Sequence, residues 1–317
     1  MRVALYDVDS KIPNLALMKL SRFYKERGDD VVSYGPLFES AYDKIYASKV
    51  FNFSDAALLD PGRMQIGGTG WGLDSALPAE IEALQPDYSF YDYPHNIGFT
   101  MRGCRFRCKF CVVPQKEGRP SSVATIEDIW QQRNSDFIVL LDNDPFGNPE
   151  WRERFAEIHK HDLRVNFSQG VNIRIITDEQ AKALASVRFT NLGGTKRQVH
   201  FAWDQFSKGT ERLIDEGIER CKVAGIKPYR MAFFVLIGFN TTPEQDLYRV
   251  NKLRDLGCDP YVMPFDRKDA YQKAFARWVN HKAIFKSVPW NDYRVGLRGH
   301  HADKINAAQG SMLEPAS

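Results

Sequence analysis

Ile97-Gly98-Phe99-Thr100-Met101-Arg102-Gly103-Cys104-Arg105-Phe106-Arg107-Cys108-Lys109-Phe110-Cys111 is the stretch on which the fold turns. A strand-like segment, Ile97 to Thr100, runs into three cysteines spaced C-x3-C-x2-C. Three thiolates this close can hold three irons of a cubic four-iron cluster. Electron-carrying ferredoxins add a fourth cysteine. None follows here at short range, so one iron is left open. An open metal position suits catalysis, whereas structural sites are closed. Zinc is the chemical rival, but a closed zinc site asks for four ligands, usually in C-x2-C or H-x3-H pairs. His95 is the nearest extra donor, and its spacing matches no common zinc pattern. Arg105, Arg107 and Lys109, set among the thiols, argue against three unrelated buried cysteines.

Outward from this stretch, strands and helices alternate. Strands are expected at Ile97–Thr100, Phe137–Leu141, Arg164–Phe167, Val199–Trp203, Tyr229–Ile237 and Pro260–Pro264. Helical spacing joins Ile214, Ile218 and Cys221, then Leu247, Val250 and Leu253. Six strands with crossover helices predict a parallel sheet curved into a partial (β/α)6 TIM-like barrel. Upstream, Arg2 to Asp9 reads as a strand. Pro13 begins a helix with Ser10 as a possible cap, and Gly28 ends it. Val31, Val32 and Tyr34 suggest a second strand and Tyr42 to Phe53 a third. This predicts a smaller Rossmann-like α/β domain before the barrel. Ile66-Gly67-Gly68-Thr69-Gly70-Trp71-Gly72 reads as a loop, because it does not match G-x-G-x-x-G. The expected domains are 1–95, 96–266 and a helical extension with tail, 267–317. Ala307 to Ser317, small and polar, is expected to fray.

The cysteine motif, with Phe110 in the aromatic position before the last cysteine and a strand directly upstream, resembles the signature of the radical S-adenosylmethionine (SAM) superfamily. The resemblance covers about Ile97 to Asp266. It implies a [4Fe-4S] cluster on Cys104, Cys108 and Cys111 whose open iron binds the methionine part of SAM. It also implies reductive cleavage of SAM to a 5′-deoxyadenosyl radical, and hydrogen abstraction from a substrate. An external electron donor of flavodoxin or ferredoxin type is expected. In such barrels a polar motif after the second strand grips the SAM amino group, which makes Asp142, Asn143 and Asp144 candidates. They equally suit a strand-ending turn. Ser168, Gln169 and Arg174 follow the third strand, where ligands meet a barrel's C-terminal rim. The alternative for Arg174 is an ion pair with Asp178 or Glu179. Asp204 follows the fourth strand. Gly238 ends a segment that resembles the strand beside the adenine. Cys221 is expected in the core. Cys258 is a candidate catalytic thiol, with packing as its alternative.

The N-terminal region resembles the leading domain of cobalamin-binding-type radical SAM proteins. The ligating D-x-H-x-x-G is missing, since Asp92 to Gly98 is one residue too long. A degenerate domain without cobalamin is expected, with a cobalamin-dependent methyltransferase as the alternative. Methylthiotransferases share this layout, but their extra cluster needs three N-terminal cysteines, and none precedes Cys104. At the other end, Phe275 to Lys286, Trp290, Tyr293 and Arg294 interleave aromatics with bases. Such a patch can bind nucleic acid, and Trp278, Lys282 and Phe285 also fit a helix packed on the barrel. This ending resembles an uncharacterised group of radical SAM proteins, phage-borne ones among them, so a nucleotide or nucleic-acid substrate is a further expectation. A non-catalytic iron–sulfur or zinc module that binds nucleic acid is the remaining alternative.

A net charge of +3 does not by itself argue for nucleic acid. No apolar run reaches the ~18–20 residues that span a bilayer. The N-terminus lacks signal-peptide features, and a cytoplasmic protein is expected. Two of the five cysteines stand alone and three cluster, which does not suggest a disulfide framework.

Overall fold

The computed structural model describes residues 1–132 and 134–296. The expected frayed tail lies outside the described residues.

The chain opens β1 (Arg2–Asp7), α1 (Leu15–Glu26), β2 (Asp30–Ser33), β3 (Lys44–Ser48), β4 (Gln65–Gly67), α2 (Ala79–Glu82), β5 (Asn96–Gly98). It continues β6 (Met101–Arg102), α3 (Val113–Lys116), β7 (Ser121–Ser122), α4 (Ile126–Ile129), β8 (Phe137–Leu140). Then come α5 (Trp151–Lys160), β9 (Arg164–Phe167), α6 (Asp178–Ser186), β10 (Arg188–Phe189), β11 (Val199–Ala202) and α7 (Lys208–Val223). The last elements are β12 (Met231–Ile237), α8 (Pro243–Asp255), β13 (Asp259–Pro264), α9 (Ala270–Asn280), α10 (Lys282–Ser287) and α11 (Trp290–Gly296). All six strands expected from Ile97 onward form, as β5, β8, β9, β11, β12 and β13. The two-residue β10 was not foreseen, being too short to show a period. No helix among the described residues is long and apolar enough to cross a membrane.

The chain divides into two compact units, both discontinuous. The first holds 1–99, 103–119 and 127–138. The second holds 100–102, 120–126 and the chain from 139 onward. The cysteine loop therefore belongs with the N-terminal sheet.

In the first unit, four parallel strands run in the order β2-β1-β3-β4. The strand period of two sends Val3 and Leu5 to one face, with Leu17, Leu20 and Tyr24 of α1. Ala4 goes to the other, with Ile45 and Ala47 of β3. The cap of α1 is Asn14, not Ser10; its side chain accepts from the Ala16 and Leu17 N–H groups. Gly28, at φ +80, ends this turn as a left-handed residue. Part of the expected glycine loop pairs as β4, beside β3.

In the second unit, β11-β12-β13 form a parallel sheet. β9 pairs with β10 in parallel. A bridge from Val171 to Phe201 ties the loop after β9 to β11. β8, whose residues divide between the two units, is buried throughout. α6 and α8 begin with capping boxes on Thr177 and Thr242.

Candidate active site

The three cysteines lie on one loop of the first unit, all half-buried. Gly103, at φ +82, starts it. A Cβ there would stand 2.2 Å from the Arg119 carbonyl oxygen, so only glycine fits. The Gly103 N–H donates to Glu117 Oε2 (2.9 Å), and the Cys104 N–H to the Gly118 carbonyl (3.2 Å). These bonds clamp the two ends of the loop together. Within it, the Cys111 N–H donates to the Cys108 carbonyl (3.0 Å). The Phe106 N–H donates to Cys104 Sγ at 3.4 Å. Phe110 is half-buried between the last two cysteines in sequence.

This donor set fits an iron–sulfur cluster. Its sulfurs come from a single loop with a pinned base. A backbone N–H already points at one of them, the kind of contact that tunes such clusters. Arg105, Arg107 and Lys109 are exposed around the thiols and offset the negative charge of a thiolate-bound cluster. Among the described residues no three His, Cys, Asp or Glu side chains converge on a single metal ion. A cube takes one thiolate per iron and needs no such convergence.

In the second unit the strand ends carry the other expected residues. Asp142 is buried, and its carboxylate accepts from the Thr100 N–H (2.7 Å), the Met101 N–H (3.2 Å) and the Thr100 hydroxyl. Burial pushes it up to about 6, against these bonds. Its acceptor capacity is thus directed to the chain, as the turn reading expects. Asn148, which sequence reasoning missed, is also buried; its Nδ2 donates to the Thr100 carbonyl (3.2 Å) and hydroxyl (3.1 Å). Thr100 is thereby held from two sides, three residues before the cysteine loop begins. The D-x5-N spacing was the available signal, and no simple rule reads it. Asn143 is half-buried. Asp144 is buried, and its Oδ1 accepts from the Asn172 N–H (3.4 Å).

Ser168 turns its hydroxyl to the Leu140 carbonyl (2.9 Å), while Gln169 is exposed. Asp178 and Glu179, the alternative partners of Arg174, meet Arg220 (3.4 Å) and Arg152 (2.7 Å). The charge of Arg174 acts on Asp204, which burial raises above the ordinary carboxylate range while a bond from the Leu236 backbone and the charges of Arg249 and Arg174 pull it down. Two residues picked separately from the sequence, one after β9 and one after β11, thus feel each other's charge. Behind them, the buried guanidinium of Arg249 donates to the Trp203 carbonyl (2.6 Å), the Leu236 carbonyl (2.8 Å) and Asp246 (2.6 Å).

Gly238 sits at φ +77, and a Cβ there would stand 2.2 Å from Gln272 Nε2. A side chain of α9 thus fills the space that a Cβ at this position would take. Cys258 is buried, and burial pushes its thiol up to about 12. Both features favour packing, the alternative, over a catalytic thiol. Cys221 behaves alike. The C-terminal aromatics also pack: Phe275, Trp278, Phe285 and Trp290 are buried against one another. Lys282 is paired with Asp259 (2.5 Å).

Residues 99–254 match the family model of the radical SAM superfamily. The match includes Cys104, Cys108 and Cys111. The chain carries a radical SAM domain and is a radical SAM enzyme. Enzymes of this superfamily generally use a [4Fe-4S] cluster and SAM and need an electron donor. A comparison with curated proteins finds no match.

Proposed function

We propose that this enzyme holds a [4Fe-4S] cluster on Cys104, Cys108 and Cys111 and cleaves SAM reductively, so that the deoxyadenosyl radical takes a hydrogen atom from a substrate. The observation that carries the reading is the clamped loop of three half-buried thiols inside the stretch that matches the superfamily. When bound, the cluster supplies the electron and a coordination position for SAM. The chain's part is to present the thiolates, donate the Phe106 N–H to sulfur, and offset charge with Arg105, Arg107 and Lys109. We assign the polar groups of SAM and substrate to Asn143, Asp144, Gln169, Arg174 and Asp204, with Ser168 and Asp142 shaping the backbone around them. The six strands from β5 to β13 are read as a partial (β/α)6 barrel, the first unit's sheet as Rossmann-like, and a flavodoxin or ferredoxin as the electron donor in the cytoplasm.

Cobalamin is not favoured. His95 contacts Ser135 (3.1 Å) and packs edge-on to Tyr93 and Phe137, which supports a degenerate domain.

The test is anaerobic reconstitution with iron and sulfide, addition of SAM and a strong reductant, and chromatographic quantification of 5′-deoxyadenosine. Deoxyadenosine from the wild type and none above background from Cys108→Ala is the expected result. A wild-type chain that takes up only zinc when prepared without oxygen would overturn it.

A further inference from the structure

The cysteine loop carries a charge that the rest of the chain does not share. Its segment of the first unit runs from Gly103 to Arg119. Five bases stand there, Arg105, Arg107, Lys109, Lys116 and Arg119, against the single acid Glu117. The other residues of the chain hold 38 Lys and Arg against 39 Asp and Glu. The net charge of +3 is therefore the surplus of this one segment, and elsewhere the signs nearly cancel.

Much of the surplus is turned to solvent. Arg105, Arg107 and Lys109 are exposed, while Phe106, Cys108 and Phe110, which alternate with them, are half-buried. A base thus stands on each side of Cys108 in the chain, and the rings and thiols are drawn in. Arg119 is exposed as well. Its backbone lies against the start of the loop, where its carbonyl oxygen closes on Gly103 and the Gly118 carbonyl receives the Cys104 N–H (3.2 Å). Among the described residues no carboxylate comes within ion-pair distance of Arg107, Lys109 or Arg119. Val112, three residues beyond Lys109, adds an apolar spot that is 43% exposed. Such a surplus has two uses. One is to balance the cluster proposed above, and that takes up only part of it, because the positive cube itself offsets much of the thiolate charge. The other is to receive an anionic partner. Single-stranded nucleic acid asks for exposed rings on which bases stack, and Phe106 and Phe110 are not offered in that way. An electron donor asks for what the loop has. Electron transfer between proteins falls off steeply with distance, so the donor has to seat close to the thiols that hold the cluster. Such encounters use small interfaces and are steered by complementary charge.

We propose that the exposed bases of the cysteine loop, Arg105, Arg107, Lys109 and Arg119, are the docking surface for an acidic one-electron carrier protein. The reduced carrier loses one electron and the cluster gains it; no atom moves and no bond forms or breaks. The inference rests on the proposed function for the presence of the cluster, and gives that function the face on which its donor is met.

The test is isothermal titration of the reconstituted full chain with three probes: an acidic flavodoxin, an acidic [2Fe-2S] ferredoxin and a mixed-sequence single-stranded DNA. At least one carrier is expected to bind, and to bind about tenfold or more weakly when salt is raised from about 0.05 to about 0.5 M. Arg107→Glu combined with Lys109→Glu should weaken it by about tenfold. Arg119→Glu should weaken it by about threefold, and gives the reading should the double variant fail to load its cluster. In both variants the rate of deoxyadenosine formation with the reduced carrier should fall relative to the rate with dithionite, since a small reductant needs no docking surface. Binding of neither carrier, binding indifferent to salt and to both variants, or DNA bound more tightly than either carrier overturns the proposal. The titrations do not depend on SAM cleavage. A chain that docks a carrier yet makes no deoxyadenosine with dithionite tells against the radical reading, and one that makes it yet docks neither carrier tells against this one.

Discussion

Thr100 and Asp142 show how a residue chosen for chemistry can act through the backbone. The Asp142 carboxylate fixes two consecutive N–H groups at the entrance to the cysteine loop. It does so at a cost, because burial raises it to about 6 from an ordinary value near 4. A carboxylate raised in the folded state stabilises fully below its unfolded value, and that stability is lost as pH rises through the folded one. Asp142→Asn keeps an oxygen for the two N–H groups and offers an amide to Thr100 Oγ1, without the charge. The variant should therefore gain on the wild type between about pH 4 and pH 7, by on the order of 2 kcal/mol at the upper end. Urea unfolding at several pH values checks this, and parallel profiles for the two proteins would refute it. The acid at this position was legible in the sequence. Its partner was not, since a contact between positions 100 and 142 leaves no periodic trace. The cysteine motif stands out in the sequence because it is local, three thiols within eight residues.

Elements were easier to read than residues. The six later strands stand out as apolar runs, and capping boxes such as that of α8 mark helix starts by short-range rules. Where elements meet, the sequence misleads. Gly238 directly follows β12, and a glycine there reads as a place of close backbone approach. The structure gives the room to Gln272 of α9, whose Oε1 accepts from the Asp266 N–H (2.9 Å). Gly238→Ala should thus cost about 1–3 kcal/mol, through a strained φ and a clash. Adding Gln272→Ser should recover the part due to the clash. A double-mutant cycle on melting temperatures measures this coupling, and strict additivity would show that Gln272 is not the obstacle.

The whole molecule is the scale at which the sequence reading was least equipped. A boundary near residue 95 follows the resemblance, yet residues 103–119 and 127–138 belong with the first 99 residues. Long-range packing decides this: Gly98 lies against Ile129, Asn96 holds Gln132 (2.7 Å), and Lys116 reaches Thr69. A chain cut to begin at residue 96 should therefore leave these segments without their core. Strong binding of a hydrophobic dye and loss of cooperative melting are expected. A sharp, wild-type-like melt of that fragment would show that the first unit is dispensable to it. The same division sets a timetable for synthesis. At about 5–20 residues per second, the nascent chain finishes its first unit as soon as Ile138 has emerged, while most of the second is still untranslated. The cysteines thus gain their clamp early, so the loop is already shaped while most of the second unit has yet to be made.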